Sequence, residues 1–240
     1  MLNNINLKRM RIAVTGGTSG LGSALVRNLA ASRARVAFVA RRAQLVELVS
    51  RETNACGIVG DVGIKEDIHA MALEIGWNLG GLDVLVNNAS SLGPTPLKLL
   101  ADTECEELHE ALVVNVLGPF RLTKALFGAL AASARDGRGG IVINISSDAA
   151  VSAYPGWGAY GAAKAALSHM TAIWAEEARD EGVRFLSLDP GDMDTPLHAL
   201  AVPDADPATL ERPEDAAQEI VASMLGALRE YAPLELARRP

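Results

Sequence analysis

Six short runs rich in Val and Ile alternate with longer stretches along this chain, and that rhythm constrains the fold more than any other feature. The runs are Arg11–Thr15, Arg35–Ala40, Gly57–Gly60, Leu82–Asn87, Gly140–Ile145 and Val183–Asp189. None shows the polar alternation of a half-exposed strand. A strand without it must be covered on both faces, as in a parallel sheet sandwiched between helices. The intervening stretches 20–32, 43–52, 64–78, 103–132, 157–180 and 213–230 read as helices. Such β/α alternation predicts an α/β fold with a doubly wound parallel sheet. The 240 residues suit one domain of this kind, 1–240, and two would be cramped.

Composition narrows the function classes. Apolar residues make up 49% of the chain but aromatics only 4%, so the core is built mainly from Ala, Val, Leu and Ile. A net charge of -7 argues against a nucleic-acid partner, because phosphate contacts need clustered cations, and Arg238-Arg239 is too short a run to supply them. Cys56 and Cys105 form no CxxC, and read as two buried or half-buried reduced thiols. His169 and His198 lack metal-type partners at useful spacing, so no metal is assigned. Met1 to Met10 lack the apolar stretch of a signal peptide, and no apolar run approaches the roughly 20 residues of a membrane span. The expectation is a cytoplasmic protein with no membrane partner.

Two segments break the rhythm. Ala132–Gly140 carries three glycines and three charges and reads as an exposed turn. Pro190–Pro213 contains five prolines and no apolar period. It leaves the end of a strand, where folds of this kind bind ligands, and reads either as a lid over a site or as a plain surface excursion. The helix after it starts at Pro213, with Glu214 and Asp215 placed to suit the positive end of its dipole.

Between the first run and the first helix lies Thr15-Gly16-Gly17-Thr18-Ser19-Gly20-Leu21-Gly22. Gly16, Gly20 and Gly22 would let the backbone turn sharply and approach a pyrophosphate, with the helix N-terminus beneath it. The spacing is GxxxGxG, so the dinucleotide reading leans on the strand before and the helix after. Some 20 residues on, at Val39-Ala40-Arg41-Arg42, an acidic residue would select a free ribose 2′-hydroxyl. Arg41 and Arg42 offer cations to a 2′-phosphate instead, which favours NADP(H) over NAD(H); the alternative is two solvated arginines. Ser19 or Thr18 could add a hydroxyl. Asp61-Val62 and Asn87-Asn88-Ala89-Ser90 end the third and fourth runs on the same rim. There Asp61 could accept from an adenine amino group and Asn87 could bond to backbone, or either could be a turn-forming residue.

Tyr160 and Lys164 are four apart on a helix and share one face. A free phenol, with a pKa near ~10, is a poor proton shuttle at neutral pH, and a nearby ammonium would lower it. The same Lys could hydrogen-bond a ribose. Ser147, just past the fifth run, could donate to a substrate oxygen. Tyr154 has no Lys four residues on and reads as a pocket wall with Trp157; Asp148 reads as a substrate-facing or solvated acid.

Taken together, TGGTSGLG at 15–22, Asp61, NNAS at 87–90, Asn115, Ser147, the Tyr160/Lys164 pair and Asp189-Pro190-Gly191 running to Thr195 resemble the single-domain, NAD(P)-dependent short-chain dehydrogenase/reductase family over roughly residues 10–195. The resemblance implies a Rossmann-like fold and a Ser147/Tyr160/Lys164 triad. It adds Asn115 as a fourth member, holding a bent helix and a proton-relay water. The Pro190-Gly191 segment would cover the nicotinamide, with Met193 or Thr195 near its carboxamide. The expected chemistry is hydride transfer between a nicotinamide and a small or mid-sized neutral carbonyl or secondary alcohol. The alternatives are an epimerase or dehydratase of the related extended kind and a non-catalytic dinucleotide sensor. Three departures stand out: Ser90 in place of the usual glycine, Arg33 where a glycine commonly ends the first helix, and no glycine-rich C-terminal strand, only Ala232–Leu236. A homodimer is expected from the small residues along the Tyr160 helix and the family's pairing of that helix and 103–132, with a tetramer the alternative.

Overall fold

The computed structural model describes residues 7–229. Six parallel strands form one sheet: β1 (Arg11–Thr15), β2 (Arg35–Ala40), β3 (Cys56–Val59), β4 (Val84–Asn87), β5 (Ile141–Ile145) and β6 (Arg184–Leu188). Their spatial order is β3-β2-β1-β4-β5-β6. Successive strand residues feed opposite cores. Ile12, Val14, Val36, Phe38, Val84 and Val86 point to one face, while Ala13, Ala37, Val39 and Leu85 point to the other. This double burial is why the strands lack polar alternation.

The first core is closed by α1 (Gly20–Ala31), α2 (Ala43–Thr53) and α8 (Pro213–Arg229). The second is closed by α3 (Asp67–Leu79), α5 (Gly118–Arg135) and α6 (Gly158–Glu177). Arg33 does take the left-handed conformation that a glycine commonly fills there, at φ 61.

The N-terminal ends of the central strands are tied by Asp83, which is 0% exposed. It accepts from Arg11 N at 2.8 Å, from Arg11 Nε at 3.1 Å and from Ser133 Oγ at 2.6 Å. Burial alone would raise its pKa, but the bonds from Arg11 and Ser133 outweigh it and hold the carboxyl below its usual range.

Several expectations need correction. The stretch read as one helix at 103–132 is α4 (Cys105–Leu112), a π-turn at Val113–Leu117 and α5, and α5 runs on to Arg135, so the turn before β5 is shorter than 132–140. Cys105–Arg135 is long enough to cross a membrane and holds an 18-residue stretch of mean hydropathy 1.2, although no single apolar run stands out in the sequence. Its Leu122, Leu126 and Leu130 are buried against the sheet. The 190–213 segment is not structureless. It holds α7 (Pro196–Ala201) and a single 3-10 turn at Pro207–Thr209, and its two ends are tied by Asp194 N to Glu211 O at 2.9 Å and Glu211 N to Asp192 O at 3.0 Å. Cys105 is exposed rather than buried. The 232–236 segment lies outside the described residues.

Candidate active site

The strand order reverses between β1 and β4, and the crevice above their C-terminal ends is where such sheets bind ligands. A cleft of about 680 Å³ runs along this rim. Every residue assigned to cofactor contact from the sequence lines it, as do Ser147, Tyr160 and Lys164. Asn115 does not; it is 0% exposed and sits behind the wall.

The glycine loop is held by close approach. A Cβ on Gly22 would lie 2.2 Å from Gly16 O and 2.4 Å from Asn88 Nδ2, so only glycine permits this turn. Gly16 itself has φ +71. Asn88 clamps the loop to the end of β4, its Nδ2 donating to Thr15 O at 2.8 Å. Thr15 Oγ1 returns the tie by accepting from Asn88 N and Ala89 N, both at 3.0 Å. Thr15 was not singled out in the sequence; its place just before the first glycine is the available signal. The rim bond, one of two alternatives for Asn87, is therefore made by Asn88. Asn87 lies buried beneath, donating to Asn144 Oδ1 and Thr123 Oγ1.

At the N-terminus of α1, Ser19 makes no side-chain cap bond and no acidic residue occupies the first turn. Free N–H groups and a free hydroxyl thus face the cleft. At the far end, Arg41 and Arg42 line it, with Arg41 Nη1 3.7 Å from Asp61 Oδ2. The other Asp61 oxygen accepts from Gly63 N at 2.8 Å, the turn-forming alternative of the two weighed. Thr195 packs over the loop, its Cγ2 3.1 Å from where a Gly20 Cβ would stand, and its Oγ1 caps α7.

The reacting end is built on β5, α4 and α6. Ser147 Oγ donates to Asp148 Oδ1 at 3.1 Å and accepts from Ala149 N. Tyr160 is 7% exposed and packs edge-on to Trp157 at 5.8 Å. Trp157 lines the cleft as expected; Tyr154 does not, and is engaged instead in donating to Asp148 Oδ2 at 2.7 Å. Lys164, 2% exposed, donates to Ile145 O at 2.8 Å, and its Nζ lies 5.4 Å from the Tyr160 ring centre.

The charges run opposite to the expected direction. Burial pushes Tyr160 up to about 12, against the lowering influence of the neighbouring Ser147 and Ser90 hydroxyls, and with Asp189 and Asp148 raising it further. Burial pulls Lys164 down to about 8, against the field of Asp189. The Lys was expected to lower the phenol; here desolvation dominates both groups. Asn115 lies in the π-turn, where Nδ2 donates to Ser91 O at 2.7 Å and Ala111 O at 2.9 Å. Its Oδ1 accepts from Ser90 Oγ at 2.7 Å and Ser91 N at 3.2 Å. Among the described residues no cluster of three His, Cys, Asp or Glu suits a metal.

A doubly wound sheet with a glycine-rich crevice, a half-buried Ser147 and a buried Tyr160 and Lys164 at one end defines a nucleotide-binding oxidoreductase class, and the comparisons with known proteins agree. The short chain dehydrogenase family model matches residues 10–206. The chain belongs to that family. It is 31% identical over 210 residues to the short chain dehydrogenase tazN of Aspergillus terreus, covering 85% of this chain but only 45% of the relative. It superposes on a 3-ketoacyl-(acyl-carrier-protein) reductase of Brucella melitensis solved with NADH, at TM-score 0.84, 26% identity and 91% of each chain. A short chain dehydrogenase of Shigella flexneri solved with NADP gives TM-score 0.80 and 26% identity over 93% of this chain and 92% of that one.

Proposed function

We propose that this protein is an NADP(H)-dependent oxidoreductase that reduces a neutral carbonyl to a secondary alcohol, or runs the same step in reverse. The observation that carries the reading is the convergence of Ser147, Tyr160 and Lys164 at one end of a cleft whose other end is a glycine-walled loop over the α1 N-terminus. The residues present fit a dinucleotide. Gly16 and Gly22 let the loop close against Asn88 and Ala89 without a side chain, and the first turn of α1 carries no acid to oppose a pyrophosphate. When bound, the nicotinamide supplies or accepts the hydride.

The chain's own part is proton handling and orientation. Ser147 turns its hydroxyl from Asp148 to the substrate oxygen. Tyr160, protonated across the neutral range because burial raises its pKa to about 12, donates its proton to that oxygen during reduction. Lys164, which lines the cleft beside Tyr160, would bond a ribose hydroxyl of the bound cofactor. Asn115 holds the Ser90–Ser91 rim through three bonds and anchors itself to Ala111 O through a fourth. The 190–213 segment acts as a lid, with Thr195 and Met193 over the cofactor end. Among the described residues the cleft's only Lys and Arg are Arg41, Arg42 and Lys164, and the carboxylates Glu110, Asp148 and Asp192 line it as well, which supports a neutral substrate over an anionic one.

Tyr160→Phe keeps the ring and removes the proton. With a panel of neutral ketones and NADPH, turnover should fall by at least ~10²-fold while NADPH binding persists. Activity within a few-fold of wild type would discard the assignment. Cofactor choice has its own test. A 2′-phosphate beside Arg41 and Arg42 gains charge-assisted bonds of about 1.5–3 kcal/mol each, a tenfold or larger preference for NADPH in kcat/KM. Arg41→Asp should move that ratio toward NADH; an unchanged ratio would leave these arginines as surface charge.

A further inference from the structure

We propose that Asp148 determines specificity: it selects carbonyl compounds that carry a hydroxyl on the neighbouring carbon, so that α-hydroxy ketones are reduced to vicinal diols. The inference rests on the carbonyl reduction proposed above and adds the substrate class. It begins from the way the Asp148 carboxylate is held. The Tyr154 hydroxyl donates to Oδ2 at 2.7 Å and fixes the group from one side. Oδ1 faces Ser147, whose Oγ donates to it at 3.1 Å. The bond from Tyr154 also holds the carboxyl below its usual range, so the group is anionic at neutral pH. Ser147 and Asp148 both line the cleft.

The reaction breaks one of these two bonds. Ser147 is needed on the substrate oxygen, and its single proton cannot serve two acceptors. Asp148 Oδ1 then loses its donor just as a substrate fills this end of the cleft and displaces the solvent that could replace it. A second difficulty is electrostatic. During reduction, negative charge gathers on a substrate oxygen bonded to Ser147 Oγ, and that places it near an anionic carboxylate. A plain ketone suffers both costs. A hydroxyl on the carbon beside the carbonyl relieves both, because it reaches Oδ1 while the carbonyl oxygen holds Ser147. The two oxygens of such a compound sit about one hydrogen-bond length apart, as Ser147 Oγ and Asp148 Oδ1 do. The substrate hydroxyl restores the bond that Ser147 gave up, and its dipole stands between the two negative oxygens. The carbonyl carbon takes the hydride and its oxygen takes the Tyr160 proton. The neighbouring hydroxyl keeps both its C–O bond and its proton, so the product is a vicinal diol.

The test compares kcat/KM with NADPH for acetoin, butanone and the methyl ether of acetoin. Butanone lacks the second oxygen; the ether keeps it without the proton. Acetoin should exceed both by at least about tenfold, the size expected when a site built to bond a substrate hydroxyl meets an analogue without one. Asp148→Ala should cut both ratios about tenfold, and Asp148→Asn, which keeps an acceptor without the charge, should cut them less. Comparing ratios between enzymes cancels the intrinsic reactivity of each ketone. Ratios unchanged in Asp148→Ala would overturn the proposal, even if all three rates fell together, because Asp148 would then serve only to orient Ser147. Ratios near one in the wild type would overturn it too. If the wild type turns over butanone and Tyr160→Phe does not, the carbonyl reduction stands whatever becomes of Asp148. No turnover of any of the three by the wild type, or an active Tyr160→Phe variant, would remove both readings.

Discussion

At the scale of single residues, the site places an ionisable group where it costs stability. Lys164 is held in the interior with a pKa near 8, against an ordinary value of 10.5. Below pH 8 the native state carries a desolvated ammonium. Between pH 8 and 10.5 the unfolded chain binds a proton that the native state lacks, so stability rises with pH across that window. Lys164→Met removes the group and should stabilise the protein more at pH 7 than at pH 10.5. The difference between the two gains is on the order of 3 kcal/mol. Urea unfolding of both proteins at both pH values measures it, and an equal effect at the two would refute the argument. The variant should also lose activity, separating the demands of the reaction from those of the fold. The Tyr160, Lys164 and Ser147 positions were legible in the sequence because spacing on a helix and past a strand is a local property. Their protonation was not, because desolvation depends on what else is packed around them.

At the scale of elements, the two ends of the strands divide the work. The C-terminal ends carry the glycine loop, Asn88 and Ser147, while the N-terminal ends are bolted by Asp83. Asp83→Ala strips the partner from a half-buried Arg11 and orphans Ser133 Oγ, and should cost about 3–5 kcal/mol. Because it sits at the far end of β4 from the cleft, kcat below the lowered melting temperature should stay within about twofold of wild type; a large fall in kcat of the folded variant would show that the ends are coupled. The π-turn at Val113–Leu117 is the element the sequence concealed. One extra residue per turn leaves the apolar pattern of a long helix almost unchanged, so 103–132 reads as continuous. What rotates Asn115 inward is that single insertion, met by four hydrogen bonds from the Ser90–Ser91 rim and Ala111. The 190–213 segment was missed for a related reason. A six-residue helix is too short to show a period, and its Leu197 and Ala201 find a core only in the small cluster around Leu92, Ala149 and Tyr160.

At the scale of the whole molecule, the end of the π-turn and the outer side of α6 expose several small and apolar residues. Leu117 is 38% and Ile173 45% exposed, with Ala162, Ala166 and Ala172 also exposed on α6. The prediction is a homodimer across this face, seen as twice the chain mass by light scattering at micromolar concentration. Ala166→Arg should shift it to monomer, and a monomeric wild type would end the proposal. The order of elements, the parallel sheet and the rim on which the site lies were all readable from the chain, because each follows from local hydrophobic period and from which strand ends abut glycine and serine. Three things came only with the packed molecule: Asn88 rather than Asn87 as the clamp on the glycine loop, the upward push on Tyr160, and the bond from Ser90 to Asn115. Each joins residues between 25 and 73 positions apart, or depends on the dielectric of a closed interior, and neither distance in space nor loss of water is written in a local pattern.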